Sequence, residues 1–121
     1  MAYSEATLEQ LKEEIRQFCE ERDWDKYHAP KELAIGLVLE ASELLEHFLA
    51  MSEEEQLEAL KDPKKGKEIR DELADSLYWV LRFSQKYGIN LTEALHSKME
   101  QNRRKYPIDK AKGSNKKYTE L

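Results

Sequence analysis

The sequence contains few of the residues that interrupt helices. Its 121 residues include only 4 Gly and 3 Pro, whereas 37% are charged and 40% are hydrophobic. A strand-rich fold would need more turns, so this composition favours long helices separated by few breaks. A chain of this length fits a single domain, residues 1–121, and buries only about two thirds of the surface exposed by its unfolded form. Self-association would therefore help to stabilise it.

Long apolar runs are also absent. No run approaches the roughly 18 residues of a membrane span, and the first residues lack the basic and apolar regions of a signal peptide. We therefore expect a cytoplasmic protein that binds no membrane. The one cysteine, Cys19, has no second cysteine or nearby histidine with which to form a disulfide, metal or redox motif. It is predicted to be a small residue of the core or its boundary.

Hydrophobic periodicity and capping residues predict four main helices and one short connecting helix. The main helices are expected over 7–23, 30–50, 65–87 and 90–106, and the connector over 52–62. Capping boxes mark two helix starts, at Thr7 with Gln10 and at Ser52 with Glu55. Gly88 marks the end of the third main helix, and Pro107 marks the end of the fourth. The tail from Ile108 to Leu121 is predicted to be irregular.

Each main helix has an apolar stripe that would face a helical bundle. The side chains predicted to point inward are Leu33, Leu37, Ala41, Leu44, Leu45 and Phe48 on the second helix, Ile69, Leu73, Leu77, Val80 and Leu81 on the third, and Leu91, Leu95 and Met99 on the fourth. The fold class is therefore predicted to be all-α.

Two of these helices carry paired carboxylates three residues apart, Glu40 with Glu43 and Glu72 with Asp75. This spacing puts both members of a pair on one helical face. Glu40 and Glu72 lie at the edges of the apolar stripes, so both pairs can point into the bundle. Four such carboxylates would repel one another without a compensating cation, and hard oxygen ligands suit Mg²⁺ or Mn²⁺.

A single Glu-x-x-Glu in a sequence with 25 acidic residues is usually part of a solvated helix face. Two pairs that abut apolar stripes make a metal site an equal alternative, and periodicity alone leaves both open. Glu46 extends the acidic series of the second helix. It is a candidate for a further ligand or a base, although it lies farther from the apolar face.

Aromatic and basic residues surround the acids in the sequence. Trp79 and Phe83 continue the acidic face of the third helix and could stack a base, although periodicity favours core packing. Trp24, Tyr27 and His28 lie in the first connection, where loops often form pockets. Cations that could bind phosphate oxygens are concentrated between residues 98 and 118, at Lys98, Arg103, Arg104, Lys105, Lys110, Lys112, Lys116 and Lys117.

A solvated tail or a nucleic-acid patch would also account for the basic segment. The net charge of -5 and the absence of a known reading motif argue against nucleic acid. We therefore expect no nucleic-acid partner.

These residues, taken in order, resemble the all-α MazG-like pyrophosphohydrolases, and within them the dCTP pyrophosphatase branch. The resemblance extends from about Phe18 to Leu121. Its most specific segments are Glu21-Arg22-Asp23-Trp24 leading to His28 and Pro30, the two acid pairs, Ser97-Lys98-Met99 through Asn102-Arg103 to Tyr106-Pro107, and the closing Lys117-Tyr118-Thr119-Glu120-Leu121.

The resemblance implies a bundle assembled as a homodimer or a dimer of dimers, with a nucleotide pocket between subunits. It implies that Glu40, Glu43, Glu72 and Asp75 hold Mg²⁺, with Mn²⁺ as a substitute. It further implies that Trp24, His28, Trp79 and Asn102 contact the nucleotide, and that Lys98, Lys117 and Tyr118 bind its phosphates. One position departs from the branch, because Ala50 stands where a tryptophan is typical, which puts cytosine selectivity in doubt.

The expected reaction is hydrolysis of a (deoxy)nucleoside triphosphate, dCTP or a related or modified nucleotide, to the monophosphate and pyrophosphate. Water would attack the α-phosphorus while Glu43 or Glu46 takes its proton. Such an enzyme would remove unwanted nucleotides from the pool. The alternatives are a bundle enzyme of broader base preference and a non-catalytic helical interaction or regulatory module.

Overall fold

The structure, a computed structural model, describes residues 5–121 and contains only helices over that range. The α-helices are α1 Leu8–Glu21, α2 Pro30–Glu46, α3 Glu53–Lys61, α4 Pro63–Lys86, α5 Leu91–Lys105 and α6 Ile108–Ala111. Short 3₁₀ helices comprise Asp25–Tyr27 and Tyr118–Glu120. The predicted all-α class is confirmed.

The helix starts follow the capping residues of the sequence. Thr7 and Ser52 form the capping boxes of α1 and α3, and the Asn90 side chain accepts a hydrogen bond from the Glu93 N–H at the start of α5. The side chain of Asp62 accepts the Lys65 N–H at 2.8 Å. Asp62 thus begins α4 at Pro63, two residues before the predicted start, because proline is well suited to the first helical position.

Two predicted helix ends were wrong, and so was the prediction of a wholly irregular tail. α1 ends at Glu21, before Asp23, whose positive φ of 54° is incompatible with a continuing right-handed helix. α2 ends at Glu46 and not at Ala50, because the N–H groups of the next residues bond to carbonyls three residues back and tighten the turn. The tail is not wholly irregular, since Pro107 precedes the single helical turn α6.

α4 is the central helix of the core. α1, α2 and α3 all pack against it. The buried apolar residues are Cys19 of α1, Leu33 of α2, Ala59 of α3 and Ile69 and Leu81 of α4. Cys19 has no exposed surface, which confirms its predicted place in the core. Full burial of each leucine or isoleucine contributes roughly 1.5–3 kcal/mol.

Several side chains that were predicted to point inward are exposed within the chain. They are Ala41, Leu45, Leu73, Leu77, Leu95 and Met99. On α2, further apolar side chains are exposed at Ile35, Val38 and Leu39, and Leu49 is exposed just beyond its end. On α2 the stripe prediction failed at Ala41 and Leu45 because this helix is apolar around most of its circumference, and α4 covers only one side of it.

The chain divides after Gly88 into two compact units, of which the second is Ile89–Leu121. Gly88 has φ 65°, a left-handed conformation that glycine adopts without strain after a helix. In the second unit the Tyr118 ring packs edge-on against Tyr106 at 6.0 Å and lies beneath the Lys105 ammonium. A single domain therefore stays a prediction.

None of the helices between residues 5 and 121 combines the length and the apolar character that a membrane span needs. The cytoplasmic location stays a prediction.

Candidate functional site

Three of the four predicted metal ligands converge where α2 and α4 pack together in antiparallel orientation. One carboxylate oxygen from each of Glu40, Glu43 and Glu72 lies within 4.8 Å of the other two. Glu40 and Glu72 are half-buried, whereas Glu43 is exposed. The three-residue spacing on α2 therefore places two acids opposite one acid of α4.

Asp75, the fourth predicted ligand, lies outside this group of three oxygens but close to Glu40. The two carboxylates line the same cavity, and the negative charge of Asp75 helps to raise the pKa of Glu40. Glu46 is exposed at the end of α2 and is not a member of the group. Its charge contributes to raising the pKa of Glu43.

The electrostatics of the cluster favour binding of a positive charge. Burial, then the facing Glu72 carboxyl and the charges of Asp75 and Glu43, raise the pKa of Glu40 to about 7. The Glu72 carboxyl also raises the pKa of Glu43. Among the described residues, the buried Oε2 atoms of Glu40 and Glu72 have no hydrogen-bond partner. Buried carboxylate oxygens without donors fit a divalent cation of the Mg²⁺ or Mn²⁺ type.

The raised pKa predicts how pH affects the metal-free protein. Glu40 has an ordinary pKa of 4.5 when unfolded and one of about 7 when folded, so the folded state holds its proton more tightly. Its contribution to stability is complete below about pH 4.5 and is lost as the pH rises to about 7. Melting temperatures measured with EDTA should fall across this range, and Glu40→Gln should flatten the slope. An unchanged slope in that variant would assign the effect to other groups.

His47 contacts the cluster and was missed by the sequence analysis. Its Nε2 lies 3.7 Å from Oε1 of Glu72, and both side chains are half-buried. His47 is the first residue beyond α2, where the backbone turns. The residue was overlooked because the predicted helix continued through it.

Beside the acids lies a cavity of about 280 Å³ with mainly aromatic walls. Its lining residues are Phe18, Trp24, Glu40, Asp75, Tyr78 and Trp79. Trp24 and Trp79 were predicted site residues, whereas Phe18 and Tyr78 were not. This volume is at the small end for ligand pockets and suits a planar ring better than a whole nucleotide.

The aromatic walls support one another through edge-on contacts. Ring centroids are 5.5 Å apart for Phe18 and Trp24 and 4.9 Å apart for Tyr78 and Trp79. The Tyr78 hydroxyl lies 3.2 Å from Sγ of the buried Cys19. Burial and this contact raise the pKa of Tyr78, so its hydroxyl stays protonated.

His28 is buried and does not line the cavity. Its Nδ1 accepts a hydrogen bond from Arg82 Nε at 2.9 Å, which leaves the proton of the neutral ring on Nε2. Burial, followed by the charges of Arg82 and Lys86, lowers the pKa of His28. Its ring lies edge-on to Trp79 at 5.9 Å. The structure thus places His28 among residues that surround Trp79.

Arg82 was also missed by the sequence analysis. It is only 1% exposed and donates hydrogen bonds to His28, to Asp25 and to Gln85. Of the other aromatic candidates, Tyr27 is exposed and Phe83 packs against Tyr87. Neither of these two lines the cavity.

The remaining predicted residues belong to the second unit. Lys98 and Asn102 lie one turn apart on α5, Lys117 precedes the last 3₁₀ helix and Tyr118 begins it. Asn102 is half-buried and the other three are exposed. Their roles toward a nucleotide stay predictions.

The structure is thus an all-α fold in which a cluster of carboxylates, the donor type that divalent cations prefer, lies beside an aromatic cavity. Residues 35–121 match the MazG-like family. The chain belongs to the MazG-like family.

Individual proteins of known activity are similar to this chain. It is 36% identical to dCTP pyrophosphatase 1 of Bos taurus over 118 residues, which cover 98% of this chain and 70% of that protein. The human dCTP pyrophosphatase 1 is 36% identical over 117 residues, 97% and 69% of the two chains. The crystal structure of a pyrophosphatase from Archaeoglobus fulgidus DSM 4304 superposes with a TM-score of 0.78 at 39% identity, covering 88% of this chain and 98% of that one.

Proposed function

We propose that this chain is a Mg²⁺-dependent nucleotide pyrophosphohydrolase that converts a (deoxy)nucleoside triphosphate to the monophosphate and pyrophosphate. The observation that carries the proposal is the position of Glu40, which belongs both to the carboxylate cluster and to the wall of the aromatic cavity. A cation site and a site for a planar ring are therefore adjacent. The similarity to enzymes named dCTP pyrophosphatase supports the same reaction.

In this proposal Glu40, Glu43 and Glu72, with Asp75 beside them, would hold the metal ion. When bound, Mg²⁺ or Mn²⁺ would neutralise charge on the phosphates and acidify the attacking water. Water would form a bond to the α-phosphorus while the bond to the pyrophosphate oxygen breaks. The exposed Glu43 would take the proton, with Glu46 as the alternative.

The nucleoside end of the substrate would occupy the aromatic cavity between Trp24 and Trp79. We propose that Lys98, Asn102, Lys117 and Tyr118 contribute nucleotide and phosphate contacts, as the resemblance implies. The substrate would be dCTP or a related or modified nucleotide. Ala50 offers no ring for stacking, which puts selectivity for cytosine in doubt and keeps a broader base preference as the alternative.

The proposal is tested by product analysis on anion-exchange chromatography. Purified protein is incubated with Mg²⁺ and each of the four common deoxynucleoside triphosphates. Monophosphate and pyrophosphate are the expected products, from dCTP alone if the cavity is cytosine-selective and from several nucleotides if it is not. Diphosphate with orthophosphate would contradict attack at the α-phosphorus. No turnover with Mg²⁺ or Mn²⁺, and no thermal stabilisation by metal with nucleotide, would favour a non-catalytic interaction module.

We propose that α2 also mediates self-association into a homodimer or a dimer of dimers. The exposed apolar side chains on it and just after it are Ile35, Val38, Leu39, Leu45 and Leu49, of which Val38 is 62% exposed. Contiguous apolar patches of this kind are typical of association surfaces. Because the family that the chain resembles is oligomeric, we propose that this surface contacts a second copy of the chain.

The substitution Val38→Asp should reduce the molar mass in size-exclusion chromatography with light scattering to that of a monomer, because a charge at the centre of an apolar interface is costly to desolvate. Lys31→Asp, on an exposed position of the same helix, should leave the oligomer intact. A monomeric wild-type protein, or an unchanged Val38→Asp oligomer, would show that this face is not the interface.

A further inference from the structure

Gly36 lies in the interior of α2, one turn before Glu40, and faces the indole of Trp79. Glycine is unfavourable at such a position because it costs more conformational entropy than alanine. A Cβ at residue 36 would lie 2.5 Å from Cδ2 and Cε2 of Trp79, and 2.8 Å from Cζ2. These distances are far below van der Waals contact, and the obstacle is a rigid ring. The indole therefore lies directly against the α2 backbone.

Other contacts restrict where the Trp79 indole could move. Tyr78 lies edge-on to it at 4.9 Å and His28 lies edge-on to it at 5.9 Å. His28 is buried and held by Arg82, so it cannot make room. The free space beside Trp79 is the cavity that it lines together with Glu40 and Asp75. A side chain at residue 36 would thus displace the indole into this cavity.

We propose that Gly36 is a specificity-determining residue: by leaving room for Trp79 against α2, it sets the depth of the aromatic cavity and so the size of the base that enters. This inference rests on the proposed function, in which the cavity receives the base. Gly36 touches neither the base nor the acids and acts through Trp79.

The test compares Gly36→Ala, Trp79→Leu and the double variant. Gly36→Ala should raise KM for the best nucleotide about 10-fold or more, because a group the size of one methyl decides fit in an apolar pocket. The increase in KM should be greater for purine than for pyrimidine nucleotides, and kcat should change less than KM. In the Trp79→Leu background, which removes the ring that the methyl meets, Gly36→Ala should have no further effect. Ala34→Val, on an exposed position of α2, is the matched control.

A second measurement is independent of catalysis. The chain has two tryptophans, so Trp79 is the only one in a Trp24→Phe background. Gly36→Ala should shift the emission of Trp79 there, and should lower the melting temperature only when Trp79 is present. If the wild type hydrolyses no nucleotide while these effects are found, the proposed function fails and the packing role of Gly36 stands.

Three results would overturn the proposal for Gly36. The first is an unchanged KM and emission in Gly36→Ala. The second is an effect of Gly36→Ala on KM and on the melting temperature that is equal with and without Trp79. The third is loss of thermal stabilisation by Mg²⁺ in Gly36→Ala, since the methyl group would then separate α2 from α4 at the acids instead of moving the indole.

Discussion

Replacing Glu40 by glutamine is expected to lower kcat for nucleoside triphosphate hydrolysis by about 10³-fold, comparable with the loss of one strong electrostatic group from other active sites. The amide preserves the shape of the side chain but removes its negative charge. Glu40 carries one of the two buried oxygens without a hydrogen-bond partner among the described residues, and it also lines the aromatic cavity. The decrease is measured from pyrophosphate release at saturating Mg²⁺.

The Glu40→Gln variant should also change stability in a way that a misfolded protein would not. Without metal it should melt at a higher temperature than the wild type at about pH 7, because one member of a repelling cluster has been neutralised. Added Mg²⁺ should stabilise it less than it stabilises the wild type. Glu32→Gln, on an exposed position of the same helix, should retain activity and the response to Mg²⁺. Undiminished turnover in Glu40→Gln would refute the proposed metal site.

Arg82→Met is expected to lower the free energy of unfolding by about 3 kcal/mol and the melting temperature by roughly 10 °C. Arg82 is almost fully buried and joins α4 to the first connection through Asp25 Oδ1 at 2.8 Å and His28 Nδ1 at 2.9 Å. Methionine retains much of the apolar volume but leaves the buried imidazole nitrogen without a donor. Asp25 is 62% exposed and can regain water, so its lost ion pair contributes the smaller part.

Urea unfolding followed by circular dichroism measures this difference. Arg70→Met, on an exposed position of the same helix, is the matched control and should change stability little. If both variants unfold at the same urea concentration, the Arg82 network does not stabilise the fold. The Arg82→Met variant should hydrolyse nucleotides less efficiently, mainly because its KM is higher. Arg82 supports His28, which packs against Trp79.

Local features of the fold were predictable because they depend on residues three or four positions apart. The capping boxes at Thr7 and Ser52 were predicted correctly from such spacings. The predicted helix boundaries were less accurate where the backbone conformation of one residue sets the helix end. Asp23 has a positive φ, so α1 cannot continue through it. No spacing rule contains that information.

The sequence by itself determined the helices, their caps and the carboxylate pairs, since all of these arise from short-range hydrogen bonding and from the 3.6-residue period. Only the tertiary structure decided which helix faces pack against one another. Because α2 is apolar around most of its circumference, periodicity could not choose its buried side, and Leu45 proved exposed while Gly36 is covered by Trp79. Contacts between distant segments, such as Arg82 with His28, depend on packing geometry that no local pattern encodes.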